Sequence, residues 1–120
     1  MRIAITAMGK DVSSKVDMRF GRAAYFMVYS EDNGTWQSAD NHQNLNAVQG
    51  AGIQAAQNVA KLGADILITG NVGPKAFKVL QANNMKIYTT GESTVEEAYN
   101  AYKAGKLTLT NEATKEGHWM

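Results

Sequence analysis

Three features of the chain predict an α/β fold with a mixed, five-stranded sheet and three helices. Two short stretches, residues 2–8 and 64–69, are almost wholly apolar or small, as strands covered on both faces are. An Asn33-Gly34 pair joins two aromatic-bearing segments, which is the strongest short-range sign of an antiparallel hairpin. Three later segments carry apolar residues at helical spacing. Strands that alternate with helices imply parallel neighbours joined by right-handed crossovers, here beside the hairpin.

Each element follows from its residues. Arg2 to Met8 alternates Ile3 and Ile5 with small residues and reads as a central strand closed by Gly9. Lys10 to Met18 is polar and reads as a loop. Ala24 to Ser30 has strand composition, Glu31 to Gly34 turns, and Thr35 to Ala39 returns as an edge with Trp36 on one face. Asp40 to Leu45 is polar and irregular. Asn46 is expected to cap the first helix, with Gln49 as capping-box partner and Val48, Ala51, Ala55, Val59 and Leu62 on its inner face. Gly50 and Gly52 are expected to let that helix approach the sheet closely. Gly63 sits where a helix closes in the left-handed conformation.

Ala64 to Thr69 is a buried strand. Gly73-Pro74 opens a second helix with Ala76, Phe77 and Leu80 inside, and Asn83-Asn84 closes it. Met85 to Thr89 is a short strand. Thr94 and Glu97 form a capping box for a third helix, whose inner face is Val95, Ala98, Tyr99 and Tyr102, and Gly105 ends it. Leu107 and Leu109 suggest one more short extended piece. A single domain over residues 1–109 and a frayed tail over 110–120 are expected.

Composition narrows the function. The 120 residues are 44% hydrophobic and 19% charged, which suits one core. No apolar run approaches the roughly 20 residues that span a bilayer, and the first strand is too short for a signal sequence, so a cytoplasmic protein is expected. The absence of cysteine excludes disulfides, thiolate catalysis and cysteine-ligated metals. A net charge of +1 gives no basis for non-specific nucleic-acid binding. Its distribution is uneven: Arg2, Lys10, Lys15, Arg19 and Arg22 face only Asp11 and Asp17 within residues 1–22. A local positive field of that kind attracts a small anion.

The segment Met18-Arg19-Phe20-Gly21-Arg22 carries most of that chemistry. Arginine is always charged, and its planar fork suits polyanions. Gly70-Asn71-Val72-Gly73-Pro74-Lys75 lies between a buried strand and a helix, where backbone N–H groups and the helix dipole favour an anion. Its spacing is neither a P-loop nor the dinucleotide fingerprint, and an ordinary strand-to-helix turn explains it as well. His42 is a candidate metal ligand with no second ligand at a telling spacing, which favours a solvated loop residue. Met8 and Met18 flank the basic loop and are the two methionines that bear on a site, although core filling is the commoner use of methionine. Asp11 and Asp17 are expected to neutralise their basic neighbours. No acid–base pair and no nucleophile with a base emerge, and Ser13 and Ser14 lack a partner.

The order of these motifs resembles the dinitrogenase iron–molybdenum cofactor biosynthesis family, which includes NifX, NafY and the C-terminal part of NifB. The resemblance rests on Phe20-Gly21-Arg22-Ala23 before a Tyr-Phe strand, Gly50-Ala51-Gly52-Ile53, and Gly63-Ala64-Asp65. Further along, Gly70-Asn71-Val72-Gly73, Thr94 to Ala98 and Gly105-Lys106-Leu107 complete it. It implies a ribonuclease H-like fold and a carrier, not a catalyst, of iron–molybdenum cofactor or related metal–sulfur clusters. Several members carry a histidine where this chain has Arg19. A cysteine-free, stand-alone chain is similar to the orange-protein branch, whose members hold a molybdenum–copper sulfide cluster non-covalently.

If the strands over 2–8 and 64–69 are neighbours, their ends and the basic loop form one rim, and the cluster that the resemblance implies is expected on its residues Met8, Gly9, Lys10, Met18, Arg19, Phe20, Gly21, Arg22, Asn71, Val72 and Gly73. The arginines would neutralise charge, glycine N–H groups would donate to sulfide, and Met8, Met18 and Val72 would exclude water. No residue is expected to ligate metal directly. Two other functions fit less of the sequence. A metal-free interaction module could meet an acidic protein through the same loop. A ribonuclease H-type nuclease needs carboxylates converging on metal ions, and Arg2 to Met8 supplies none.

Overall fold

The computed structural model describes residues 1–43 and 50–110. The chain forms β1 (Arg2–Ala7), β2 (Tyr25–Ser30), β3 (Thr35–Asp40), α1 (Ala51–Lys61), β4 (Ile66–Thr69), α2 (Pro74–Ala82), β5 (Lys86–Thr89), α3 (Val95–Lys103) and β6 (Thr108–Thr110), with a single 3-10 turn at Phe20–Arg22. One six-stranded sheet runs in the order β3-β2-β1-β4-β5-β6. The sixth strand is the short piece foreshadowed by Leu107 and Leu109, and it pairs antiparallel with β5. The expected tail falls, from residue 111, outside the described residues.

Strand periodicity sorts the core onto two faces. Ala4 pairs with Val28 on one side and Leu67 on the other, while Ile5 pairs with Met27 and Ile68. Alternate residues of one strand point to opposite faces. Ala4, Val28 and Leu67 therefore pack with Val59 of α1 and Leu80 of α2, and Ile5, Met27 and Ile68 pack with Val95 and Ala98 of α3. The result is helices on both faces of a mixed sheet, with β1 at its centre. No helix among the described residues is long and apolar enough to cross a membrane.

The helix ends differ in how they are satisfied. Thr94 and Glu97 close the expected capping box on α3, with Thr94 N–H donating to Glu97 Oε1 at 2.9 Å and Glu97 N–H to Thr94 Oγ1 at 3.2 Å. In α1 the first helical residue is Ala51, and the N-cap is Gly50 in extended conformation, with no side-chain cap. Asn46, Gln49 and Val48, expected at that start, lie outside the described residues. Gly52 meets the Phe20–Arg22 turn: a Cβ on Gly21 would lie 2.9 Å from both Gly52 Cα and Gly52 N. Backbone packs on backbone there because neither residue carries a side chain.

Candidate functional site

All three helices begin at the edge where the parallel strands β1, β4 and β5 end, because each helix runs antiparallel to the strand it joins. β1 and β4 are adjacent and parallel, so their carboxyl ends form one rim, the place where open α/β sheets receive ligands. The N-terminus of α3 is filled: Val95 and Glu96 N–H groups donate to the Ser14 and Val12 carbonyls, and its first turn carries Glu96 and Glu97. Neither α1 nor α2 has a side-chain cap or an acidic residue in its first turn. Among the described residues, no acidic side chain in the first turn of either helix offsets its positive dipole end at this rim.

The loop after β1 crosses the rim from one face to the other. Val12, Val16 and Met18 pack on the α3 side, whereas Phe20 is buried among α1 and α2 residues. Between these anchors Arg19 is exposed and forms a parallel bridge with Asn71 just beyond β4. Asn71 N–H donates to the Met18 carbonyl at 2.9 Å, Asn71 Nδ2 adds a bond to it at 3.2 Å, and Phe20 N–H donates to the Asn71 carbonyl at 3.2 Å. The structure therefore brings Met18 to Arg22 and Asn71 to Gly73 together, although about 50 residues separate them in the chain.

Asp17 is buried at 6% exposure and accepts a hydrogen bond from Arg19 N–H at its Oδ1, 3.1 Å away. It orders the backbone of the turn and, among the described residues, forms no ion pair with a side chain, in place of the neutralising contact expected from its neighbours. The ion pairs among the described residues are the Met1 ammonium with Asp32 and Lys103 with Glu31, both at the opposite, hairpin end. Lys10, Lys15, Arg19 and Arg22 are exposed at the rim, and none has an ionic partner among the described residues. Lys10 Nζ lies 5.4 Å from the centroid of the Tyr25 ring. Arg2, counted with this basic group in the sequence, is elsewhere: its guanidinium donates to the Leu62 carbonyl, at the far edge where α1 ends.

Other candidates separate by burial. Met8 is 57% exposed at the end of β1, and Met18 is half-buried. Gly9 and Gly21 lie partly open on the same rim, and their N–H groups make no hydrogen bond among the described residues. Phe20 and Val72 are almost fully buried, with side chains in the core. The Val72 side chain thus lies inside the core and not on the rim, where Met8 is exposed and Met18 half-buried. His42 is exposed, and its carbonyl accepts from Asn58 Nδ2 at 2.8 Å.

Three structural residues, Asn41, Thr6 and Thr69, escaped the sequence reading. Asn41 is buried, donates to the Ala23 carbonyl at 2.8 Å and accepts from Asn58 at 2.8 Å, which ties the end of the 3-10 turn to α1. Thr6, Thr69 and Gly70 underlie the Arg19 turn. Gly70 belongs to the segment that the sequence marked as a candidate anion site; nothing in the sequence marked Asn41 or the threonines.

Among the described residues no group of three or more His, Cys, Asp and Glu could hold a metal ion. The rim supplies cations, backbone N–H groups and thioethers instead. Such a donor set fits a preassembled anionic cluster that brings its own sulfide ligands, and does not fit a bare ion.

The architecture defines the class: a three-layer α/β domain of ribonuclease H-like type. Within that class the chain belongs to the dinitrogenase iron–molybdenum cofactor family, whose model matches residues 1–105. Among solved structures it is similar to the apo form of the orange protein from Desulfovibrio gigas, with 42% identity and a TM-score of 0.88 over 95% of this chain and 96% of that one. It is also similar to the NMR structure of a candidate NifB protein from Thermotoga, with 36% identity and a TM-score of 0.82 over 97% and 98% of the two chains. An uncharacterised protein of Methanocaldococcus jannaschii is 27% identical over 97 residues, 79% of this chain and 82% of that protein.

Proposed function

We propose that this protein binds and carries an anionic, molybdenum-containing metal–sulfur cluster, of molybdenum–copper or iron–molybdenum type, without catalysing a reaction on it. The observation that carries the reading is the Arg19 turn: among the described residues it is a cation without an ionic partner, clamped to Asn71 and bordered by helix starts that no side chain caps, and no group of residues there would ligate a bare metal ion. Arg19 and Arg22 supply charge, Gly9 and Gly21 supply N–H donors, and Met8 and Met18 cover the cluster against water. Gly73 and Pro74 bring the start of α2, whose dipole favours the same charge. The setting is the cytoplasm, and delivery to a protein partner completes the role. Membership of the family and similarity to the orange protein support this reading.

The test begins with elemental analysis and a visible spectrum of protein purified without air. Titration with tetrathiomolybdate and copper then compares the natural chain with Arg19→Ala and Arg22→Ala. A charge-assisted hydrogen bond at a partly solvated site corresponds to about a tenfold change in affinity. Each variant should lose about that much while its melting temperature stays unchanged. Equal affinity in both variants would remove the rim from the reading. A stable acidic partner in a pull-down, with no cluster bound under any condition, would replace it with the interaction module.

A further inference from the structure

We propose that Gly70, together with the Thr6–Thr69 hydroxyl pair beneath it, is a positioning device that seats the Arg19 turn on the end of β4. The inference rests on the cluster-binding reading for its purpose, but its geometry stands apart from any ligand.

Gly70 is buried, and a Cβ on it would lie 2.6 Å from the Met18 carbonyl oxygen, 2.7 Å from Met18 Cα and 2.7 Å from Met18 Cε. Two of those three atoms are main chain and cannot swing aside. The contact is enforced, because Asn71, the next residue, receives Phe20 N–H and donates twice to the Met18 carbonyl. With any side chain at position 70 these bonds and the close approach cannot coexist.

The turn is also held from below. Thr6 Oγ1 lies 2.7 Å from the Asp17 carbonyl and 2.8 Å from Thr69 Oγ1. A hydroxyl has one proton to donate. Thr6 therefore donates to Asp17 and accepts from Thr69, so β1, β4 and the loop share one chain of bonds. Asp17 passes the order on by accepting Arg19 N–H. Thr6 and Thr69 are fully buried, so water cannot replace a lost partner without opening the core. A turn built this way presents Arg19 with its backbone ordering already done, which is how preorganisation improves binding.

The experiment uses the full chain with Gly70→Ala, Thr6→Val and, as the conservative variant, Thr6→Ser. Gly91→Ala is the control, since a Cβ there meets nothing within 4 Å. In the free protein, Gly70→Ala and Thr6→Val should move the amide signals of Met18 to Phe20 and Asn71 and raise their hydrogen exchange. Thr6→Ser and Gly91→Ala should leave those signals in place. With tetrathiomolybdate and copper as probe, Gly70→Ala should bind about tenfold more weakly, with a flatter salt dependence. Adding Arg19→Ala should then cost little more, because the cation is already misplaced.

Unmoved signals in Gly70→Ala and in Thr6→Val overturn the proposal, whatever the probe does. If Gly70→Ala does not fold, Thr6→Val against Thr6→Ser decides by the same signals. A natural chain that ignores the probe, with the signals moved as described, sinks the cluster reading and leaves the positioning device standing. Additive losses for Gly70→Ala and Arg19→Ala would separate Gly70 from Arg19 and overturn the proposal.

Discussion

Asn41 shows how much one buried amide can carry. Its side chain bonds the Ala23 carbonyl, the Asn58 amide and the Gln43 amide, at 2.8, 2.8 and 3.3 Å. A buried polar group left unmatched costs about 1–3 kcal/mol. Asn41→Ala should lower unfolding free energy by that order in denaturant titrations, and it should loosen the link between the 3-10 turn and α1. Stability equal to the natural chain would mean that water takes over these bonds. Asp17 acts on the same scale. Its sequence neighbours are basic, but its carboxylate reaches the N–H of Arg19 two residues on, a local bond that short acidic side chains readily make.

At the scale of elements, the three helices differ at their starts in a way that matches the placement of the site. α3 is stopped by a full capping box and by two loop carbonyls, so its end is a structural joint. Thr94→Ala should cost about 1 kcal/mol of stability, the usual loss for an N-cap hydroxyl. Cluster binding should not change with it. An affinity loss in Thr94→Ala at unchanged rim signals would mean that the α3 end belongs to the site. α1 and α2 begin with glycine caps beside the exposed arginines, and their dipoles act in the same direction as those charges. The sheet edge is ordered the same way, because β1 and β4 end together and the loop over residues 8–24 crosses them.

For the molecule as a whole, charge and aromatic packing are segregated. Among the described residues, cations without an ionic partner gather at the carboxyl rim, and the ion pairs sit at the hairpin end. Binding of an anion at this rim should weaken as salt rises, since exposed charges are screened over about 8–10 Å at physiological ionic strength. Affinity independent of salt between low and physiological strength would argue against an electrostatic hold. On the α3 face, Tyr29, Trp36 and Tyr99 stack with centroids 4.8 to 5.4 Å apart, and Tyr88 meets Tyr102 at 5.1 Å. Burial pushes the Tyr99 and Tyr102 phenols above their ordinary value of 10.0, and the hydrogen bond to Glu31 also raises Lys103. Groups raised in the folded state contribute stability that is complete below their unfolded values and is lost as pH rises through the folded ones. Denaturant midpoints should therefore hold up to about pH 10 and fall above it. An unchanged midpoint across that range would show that these rings ionise freely in the folded protein.

The sequence alone determined the element order, the Asn-Gly hairpin, the Pro74 and Thr94 helix starts and the central place of β1. These depend on local rules: apolar period, turn residues and caps act within a few positions of one another. It also pointed to Arg19, Arg22 and Asn71 as residues of interest, because charge and glycine stand out in a short segment. What the tertiary structure decided is which of those segments meet. Arg19 bridges Asn71, Gly21 lies on Gly52, and Thr6 shares a hydroxyl bond with Thr69, contacts that span about 30 to 65 residues of chain. Likewise, the removal of Arg2 from the basic group follows from strand direction, which carries it to the opposite edge of the sheet. Local patterns carry no record of such partners. They arise only when burial of both sheet faces brings the ends of β1 and β4 side by side, and so turn one basic loop into a rim.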